Sequence, residues 1–155
     1  VMFFEQKTLY ATKSEVTSMD PIPLGKGKIV REGNDVTIVT YAKQVYDAQE
    51  AAEKLAADGI EAEIIDIRSL YPLDKEMIAK SIAKTHKAIV ITEETKRGGY
   101  GGEISATIGE EMFDDLDAPV ARIGALDTPV PFAPNLEDVY LPNATDIVLA
   151  AKKMF

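Results

Sequence analysis

At 155 residues, with 46% hydrophobic and 28% charged side chains, the chain has the size of one domain with a proper core, and no apolar run approaches a membrane span. A net charge of −9 argues against nucleic acid and anionic membranes as partners, because both would repel it. Zero cysteines exclude disulfides and thiol chemistry and fit a reducing compartment. The first residue is Val1, not Met, and no signal-peptide pattern is visible, so a fragment of a longer protein is expected.

Val1 to Glu5 reads as one isolated strand with no partner before it. Residues 6–27 carry the proline and glycine punctuation of a surface linker (Pro21, Pro23, Gly25, Gly27). Lys28 to Arg31 and Asp35 to Thr40 are extended runs around Glu32-Gly33-Asn34, a hairpin signal that makes the first run an antiparallel edge strand. Val36 to Thr40 is the first core strand. Val45, Ala48, Ala52 and Leu55 then recur at helical spacing, with Gly59 at a C-terminal cap position. Ile60 to Ile67 predicts a second strand by alternation, and Asp74 caps a helix carrying Ile78 and Ile82.

The stretch from Ala88 to Leu116 organises the rest. Ala88 to Ile91 has the β-branching of a buried parallel strand, a charged turn and four glycines around Tyr100 follow, and Ile104, Ile108 and Met112 form a helical stripe. Pro119 to Ile123 is the last strand. A proline-rich segment, Asp127 to Asn135, leads into a short turn at Leu136 to Tyr140, and Asn143 caps a terminal helix with Ile147, Ala150 or Ala151, and Met154 inward. Strands alternating with helices imply an α/β three-layer sandwich of about five strands, mostly parallel, with one antiparallel edge strand.

The glycine loop first invites a nucleotide reading. The dinucleotide fingerprint fails, because the third glycine would fall at Ile104, and the phosphate loop ending in Gly-Lys-Ser/Thr is absent. The other reading is positive φ and close backbone approach, by the chain's own sheet or by another subunit. Tyr100 is either a cover for the core or a projection into a partner. At the carboxyl ends of the strands, where such sheets bind ligands, stand Tyr41, Asp66 with Arg68, and Glu93 with Glu94. Asp66 and Arg68 read as an acid and an anchor or as a structural ion pair. Glu93 and Glu94, adjacent on a strand, should point to opposite faces and not converge. His86, the single histidine, precedes a strand's amino end, and one histidine without cysteine builds no transition-metal site. From Glu93 to Asp117 eight acids face only Lys96 and Arg97, which reads as a solvated face or as a docking patch for a basic partner.

Several of these stretches together resemble one family. They are Val1-Met-Phe-Phe-Glu-Gln-Lys-Thr-Leu-Tyr10, Pro23-Leu-Gly-Lys-Gly, Val36-Thr-Ile-Val-Thr-Tyr, Asp66-Ile-Arg-Ser-Leu-Tyr-Pro-Leu-Asp74, Glu93-Glu-Thr-Lys-Arg-Gly-Gly-Tyr-Gly-Gly-Glu-Ile104 and Asp127-Thr-Pro-Val-Pro-Phe132. The family is the beta subunit of the thiamine-diphosphate-dependent 2-oxo acid dehydrogenases, of pyruvate, branched-chain and acetoin type. Only its carboxyl-terminal, transketolase C-terminal-like domain is matched. The resemblance implies that residues 1–24 are the end of a missing pyrimidine-binding domain and a linker, and that 25–155 form the domain. Thr92 departs from the histidine that many relatives carry there, which weakens any catalytic role for the loop.

What the resemblance implies is assembly. It assigns no catalytic, cofactor-binding or metal residue to this chain, with thiamine diphosphate and magnesium expected in the intact enzyme and not in the fragment, which alone should be inactive. It implies a subunit interface at Arg97, Gly98, Gly99, Tyr100, Gly101, Pro131 and Phe132, towards an alpha subunit and a second beta subunit in an alpha2-beta2 enzyme. It implies docking of the dihydrolipoyl acyltransferase's subunit-binding domain at Asp114, Asp115, Asp117 and Phe155. The expected location is the cytoplasm, or the mitochondrial matrix. The alternatives are the matching domain of a transketolase or deoxyxylulose-phosphate synthase, and a stand-alone α/β domain binding a small acid.

Overall fold

A computed structural model describes residues 2–13, 15 and 19–155. Its sheet has five strands, β1 (Lys28–Arg31), β2 (Val36–Thr40), β3 (Ala62–Asp66), β4 (Ala88–Thr95) and β5 (Ala121–Ala125), in the order β1-β3-β2-β4-β5. All pairings are parallel except β1 with β3. Helices α1 (Gln44–Ala57), α2 (Lys75–Thr85), α3 (Gly101–Glu111), α4 (Pro134–Tyr140) and α5 (Ala144–Lys152) complete the chain. The expected three-layer architecture is the one found.

Two cores flank the sheet. Val36, Ile38, Ile64, Ile89 and Ile91 pack against Ala48, Ala52 and Leu55 of α1 and Ala144, Ile147 and Ala151 of α5. On the other face Val39, Ile65 and Val90 meet Ile78 and Ile82 of α2 and Ile104 and Ile108 of α3. Strands covered on both faces read as continuous apolar runs, which is why β2 is buried at every position. The same cause overrides the alternation expected for β3, where Glu63 and Ile65 are as buried as Ala62 and Ile64. Glu63 is tolerated there because its carboxylate accepts from Lys84, and burial is opposed by that cation.

The caps follow their chemistry. Asp74 accepts from Met77 N at 3.3 Å to start α2, and Asn143 accepts from Thr145 N at 2.8 Å within a capping box completed by Asp146. Gly59 ends α1 with φ +81°, a conformation that glycine alone adopts without strain. Of the two candidate alanines in α5, Ala151 is the fully buried one.

Four expectations need correction. The Glu32-Gly33-Asn34 connection is not a hairpin: β1 pairs with β3, and β3 lies between β1 and β2. The connection passes beneath the amino end of β3, where Asn34 N and Asp35 N donate to Glu61 O, both at 3.0 Å, and Glu61 N donates to Asp35 Oδ2 at 2.6 Å. Residues 2–6 form no strand, since a lone extended segment has no ladder to join; Phe3 and Phe4 stay exposed, and Val1 lies outside the described residues. Part of the expected linker is a 3-10 helix, Lys7–Ala11. The predicted turn at Leu136 to Tyr140 is the helix α4, opened by Pro134 at a position where no N–H is needed.

Candidate functional site

In a doubly wound sheet the crevice opens where successive crossovers leave a pair of neighbouring strands in opposite directions. Here that pair is β2 and β4: α1 carries the chain from β2 to one side and α3 carries it from β4 to the other. At its mouth stand Tyr41, Ala42 and Lys43 after β2, and Glu93 and Glu94 at the end of β4. Ala42 has φ +56° and Arg68, beyond β3, has φ +53°, so two non-glycine residues at this edge hold left-handed backbone.

The acids at this edge are engaged. Tyr41 donates its hydroxyl to Glu94, and burial first, then the Glu94 carboxylate, pushes the phenol far above its ordinary pKa. Tyr41 is thereby a fixed donor and not a base. The second oxygen of Glu94 is buried without a partner among the described residues. Glu93 accepts from Gln6 Nε2 at 2.5 Å, and burial raises its carboxyl pKa against the opposing pull of Gln6 and Lys43. Glu93 and Glu94 keep separate hydrogen-bond partners, Gln6 for the first and Tyr41 for the second, and share no donor. Asp66 and Arg68 form the ion pair, with Arg68 Nε 3.5 Å from Asp66 Oδ2 and Arg68 N donating to Oδ1 at 3.2 Å.

The glycine turn is packed by its own chain. Gly98 has φ +76°, and a Cβ on Gly99 would lie 2.6 Å from Thr95 O. A Cβ on Gly101 would meet Thr92 at 3.0 Å, so the threonine at this position fits against the helix start. The turn packs directly onto the strands, and a Cβ on Gly124 of β5 would lie 2.7 Å from Glu94 O. Tyr100 covers the second core and donates to Leu70 O, so its ring is only partly free. Arg97 reaches Asp127 at 3.1 Å and thus ties the glycine turn to the proline-rich segment. On that segment Phe132 is fully exposed, with Val130 and, from α4, Leu136 and Val139 also exposed.

The end of the acidic stretch, Asp114 to Asp117, lies beside His86 at the opposite, amino-terminal edge of the sheet. Asp114 and Asp115 sit in a 3-10 turn after α3, Phe113–Asp115, and not in the last turn of the helix itself. Their carboxylates and that of Asp117 are exposed and make no ion pair among the described residues. The backbone joins them to the chain's last residues: His86 Nδ1 lies 2.8 Å from Asp115 O, Asp117 N donates to His86 O at 2.8 Å, and Lys87 Nζ stands 4.5 Å over the Phe155 ring. The four residues thus share one neighbourhood. Among the described residues no group of three or more acids or histidines is arranged to hold a metal ion, and no helix is long and apolar enough to cross a membrane. Gln6 was invisible in the sequence, because one polar residue in a polar segment gives no sign of a contact 87 positions away.

Residues 25–147 match the family described as transketolase, C-terminal domain. The chain is 51% identical over 149 residues to the beta subunit of acetoin:2,6-dichlorophenolindophenol oxidoreductase from Bacillus subtilis (strain 168), covering 96% of this chain and 44% of that protein. It is 46% identical over 158 residues to the mitochondrial pyruvate dehydrogenase E1 component subunit beta-1 of Arabidopsis thaliana, covering 99% of this chain and 44% of the relative. It is 41% identical to the 2-oxoisovalerate dehydrogenase subunit beta of Bacillus subtilis (strain 168), covering 99% and 48%. The chain therefore spans just under half the length of these relatives. Among solved structures, a split-gene transketolase described as an inactive beta4 tetramer superposes with a TM-score of 0.76 at 34% identity, over 91% of this chain and 45% of that one.

Proposed function

The chain belongs to the transketolase C-terminal domain family, and from that premise we propose that it is the assembly and docking domain of the beta subunit of a 2-oxo acid dehydrogenase. The intact enzyme would decarboxylate a 2-oxo acid, or cleave acetoin, on thiamine diphosphate and pass the acyl group to a lipoyl carrier. The observation that carries the reading is the 41–51% identity, over nearly the whole chain, to beta subunits of that chemistry.

On this reading the cofactor takes no ligand from this chain. Gln6 stands in the switch-point crevice, the glycine turn is packed against its own chain, and Glu93 and one oxygen of Glu94 are held by Gln6 and Tyr41. Thiamine diphosphate and magnesium belong, on this reading, to the upstream domain and the alpha subunit, and no catalytic step is assigned here. What the domain supplies is surface. Arg97, the backbone of Gly98 to Gly101 beside Tyr100, and the exposed Phe132 next to Pro131 are the contact for neighbouring subunits in an alpha2-beta2 enzyme. Asp114, Asp115, Asp117 and Phe155 are the contact for the basic subunit-binding domain of the acyltransferase. Relatives include mitochondrial and bacterial proteins; the cytoplasm is the location we favour. A second reading, the matching domain of a transketolase, rests on the split-gene transketolase structure.

Calorimetric titration of this chain with thiamine diphosphate and magnesium tests the assignment. No binding heat is expected, and a micromolar dissociation constant would overturn the assembly reading.

A further inference from the structure

We propose that the groove between β1 and α2 is a binding site for a small primary alkylammonium, with Glu63 as its anionic end. The inference does not rest on which enzyme the domain serves. It starts from the topology: α2 packs over β2 and β3 through Ile78 and Ile82, while β1 lies one strand further out. Ile29 of β1 pairs with Ile65 and so shares that face of the sheet. Beside α2 an open groove of about 380 Å³ remains, at the lower end of small-molecule sites, with Ile29 and Met77 as its apolar lining.

The same groove holds an unmet acceptor. Glu63 is 1% exposed, and its Oε2 takes both of its donors, Lys84 Nζ and Gly33 N, the latter at 3.4 Å. Oε1 has no hydrogen-bond partner among the described residues. Ser81 stands beside Glu63, but its proton is committed inward. Thr37 lies 2.6 Å from Ser81 and 2.6 Å from Thr85, and Thr85 donates to Ser81 O at 3.1 Å. Thr37 therefore gives its proton to Thr85, and Ser81 gives its own to Thr37. Charge points the same way. Lys84 is shared between Glu63 and the exposed Glu32, which leaves this end of α2 one negative charge in excess. At the other end Lys26 with Asp74 and Lys80 with Glu76 are balanced. A buried carboxylate oxygen without a donor is costly. An ammonium group supplies both the donor and the missing charge, and its alkyl stem covers Ile29 and Met77. An alcohol supplies the donor alone, and a carboxylate is repelled.

Methyl NMR of the whole 155-residue chain, titrated with n-butylammonium, tests this. Met77 lines the groove, while Met112 and Met154 pack in the two cores, so the Met77 methyl should shift saturably and the other two should stay. n-Butanol should bind about tenfold more weakly, the difference between a charge-assisted hydrogen bond and a neutral one. Butyrate should not bind. Glu63→Gln should weaken n-butylammonium by about tenfold for the same reason. Should that variant fail to fold, the three probes compared on the wild-type chain decide alone. No saturable shift at Met77, or equal binding by n-butanol and n-butylammonium, overturns the proposal.

Discussion

Gly33→Ala should cost roughly 3 kcal/mol of folding stability, at the upper end of what overpacking does. The added Cβ would lie 2.3 Å from Ala62 C, 2.4 Å from Glu63 N and 2.5 Å from Glu61 O. All three are backbone atoms at the start of β3, so no rotamer change relieves the clash. β3 is paired on both sides, with β1 and β2, and a shift there propagates into two ladders. For a domain of this size the loss should lower the unfolding midpoint by roughly 6–12 °C. Gly109→Ala is the control: it lies exposed on α3 with nothing within 4 Å of the new methyl. There the helix should gain up to about 1 kcal/mol from the better helix former. Thermal and urea unfolding of both variants decide the matter. If Gly33→Ala unfolds with wild type, the connection between β1 and β2 does not pass beneath β3.

The second large effect concerns the acidic surface. Asp117→Asn should weaken binding of the acyltransferase's subunit-binding domain about tenfold, or ~1.4 kcal/mol. The carboxylates of Asp114, Asp115 and Asp117 have no partner within the described chain, so a basic partner would meet acids that are already unpaired. Close charge pairs at an interface couple by roughly 1.5–7 kcal/mol and exposed rim pairs by under about 1 kcal/mol, which places the expected value at the boundary between them. Phe155→Ala should also weaken binding, through loss of an exposed ring beside the patch. Glu53→Gln, on the exposed face of α1, should have no effect. Affinity should fall between low and physiological salt. Equal binding by Asp117→Asn and Glu53→Gln, without salt dependence, would place the docking surface elsewhere.

The pattern of strands and helices was legible because burial on both faces leaves continuous β-branched runs, and caps such as Asp74 and Asn143 announce themselves locally. Strand order was not. Glu32-Gly33-Asn34 has a hairpin's composition, and what makes Gly33 necessary is the backbone of Ala62, 29 positions away. Tyr100 was ambiguous for the same reason: its partner is Leu70 O, a carbonyl that no side-chain pattern encodes. At the candidate surfaces, the acidic stretch was visible as charge, but its proximity to Phe155 required the contacts of His86 and Lys87. Gln6 left no trace at all in the pattern.

The central claim is that this domain completes a thiamine enzyme without carrying its chemistry. Its most direct test is reconstitution of a complete beta subunit containing this chain with an alpha subunit, assayed with pyruvate, a branched-chain 2-oxo acid and acetoin through reduction of an acceptor dye. The account predicts thiamine-diphosphate-dependent turnover of at least one substrate by the assembled enzyme, and none by this chain alone. Turnover by the chain alone, or none by the assembled enzyme with all three, would contradict it.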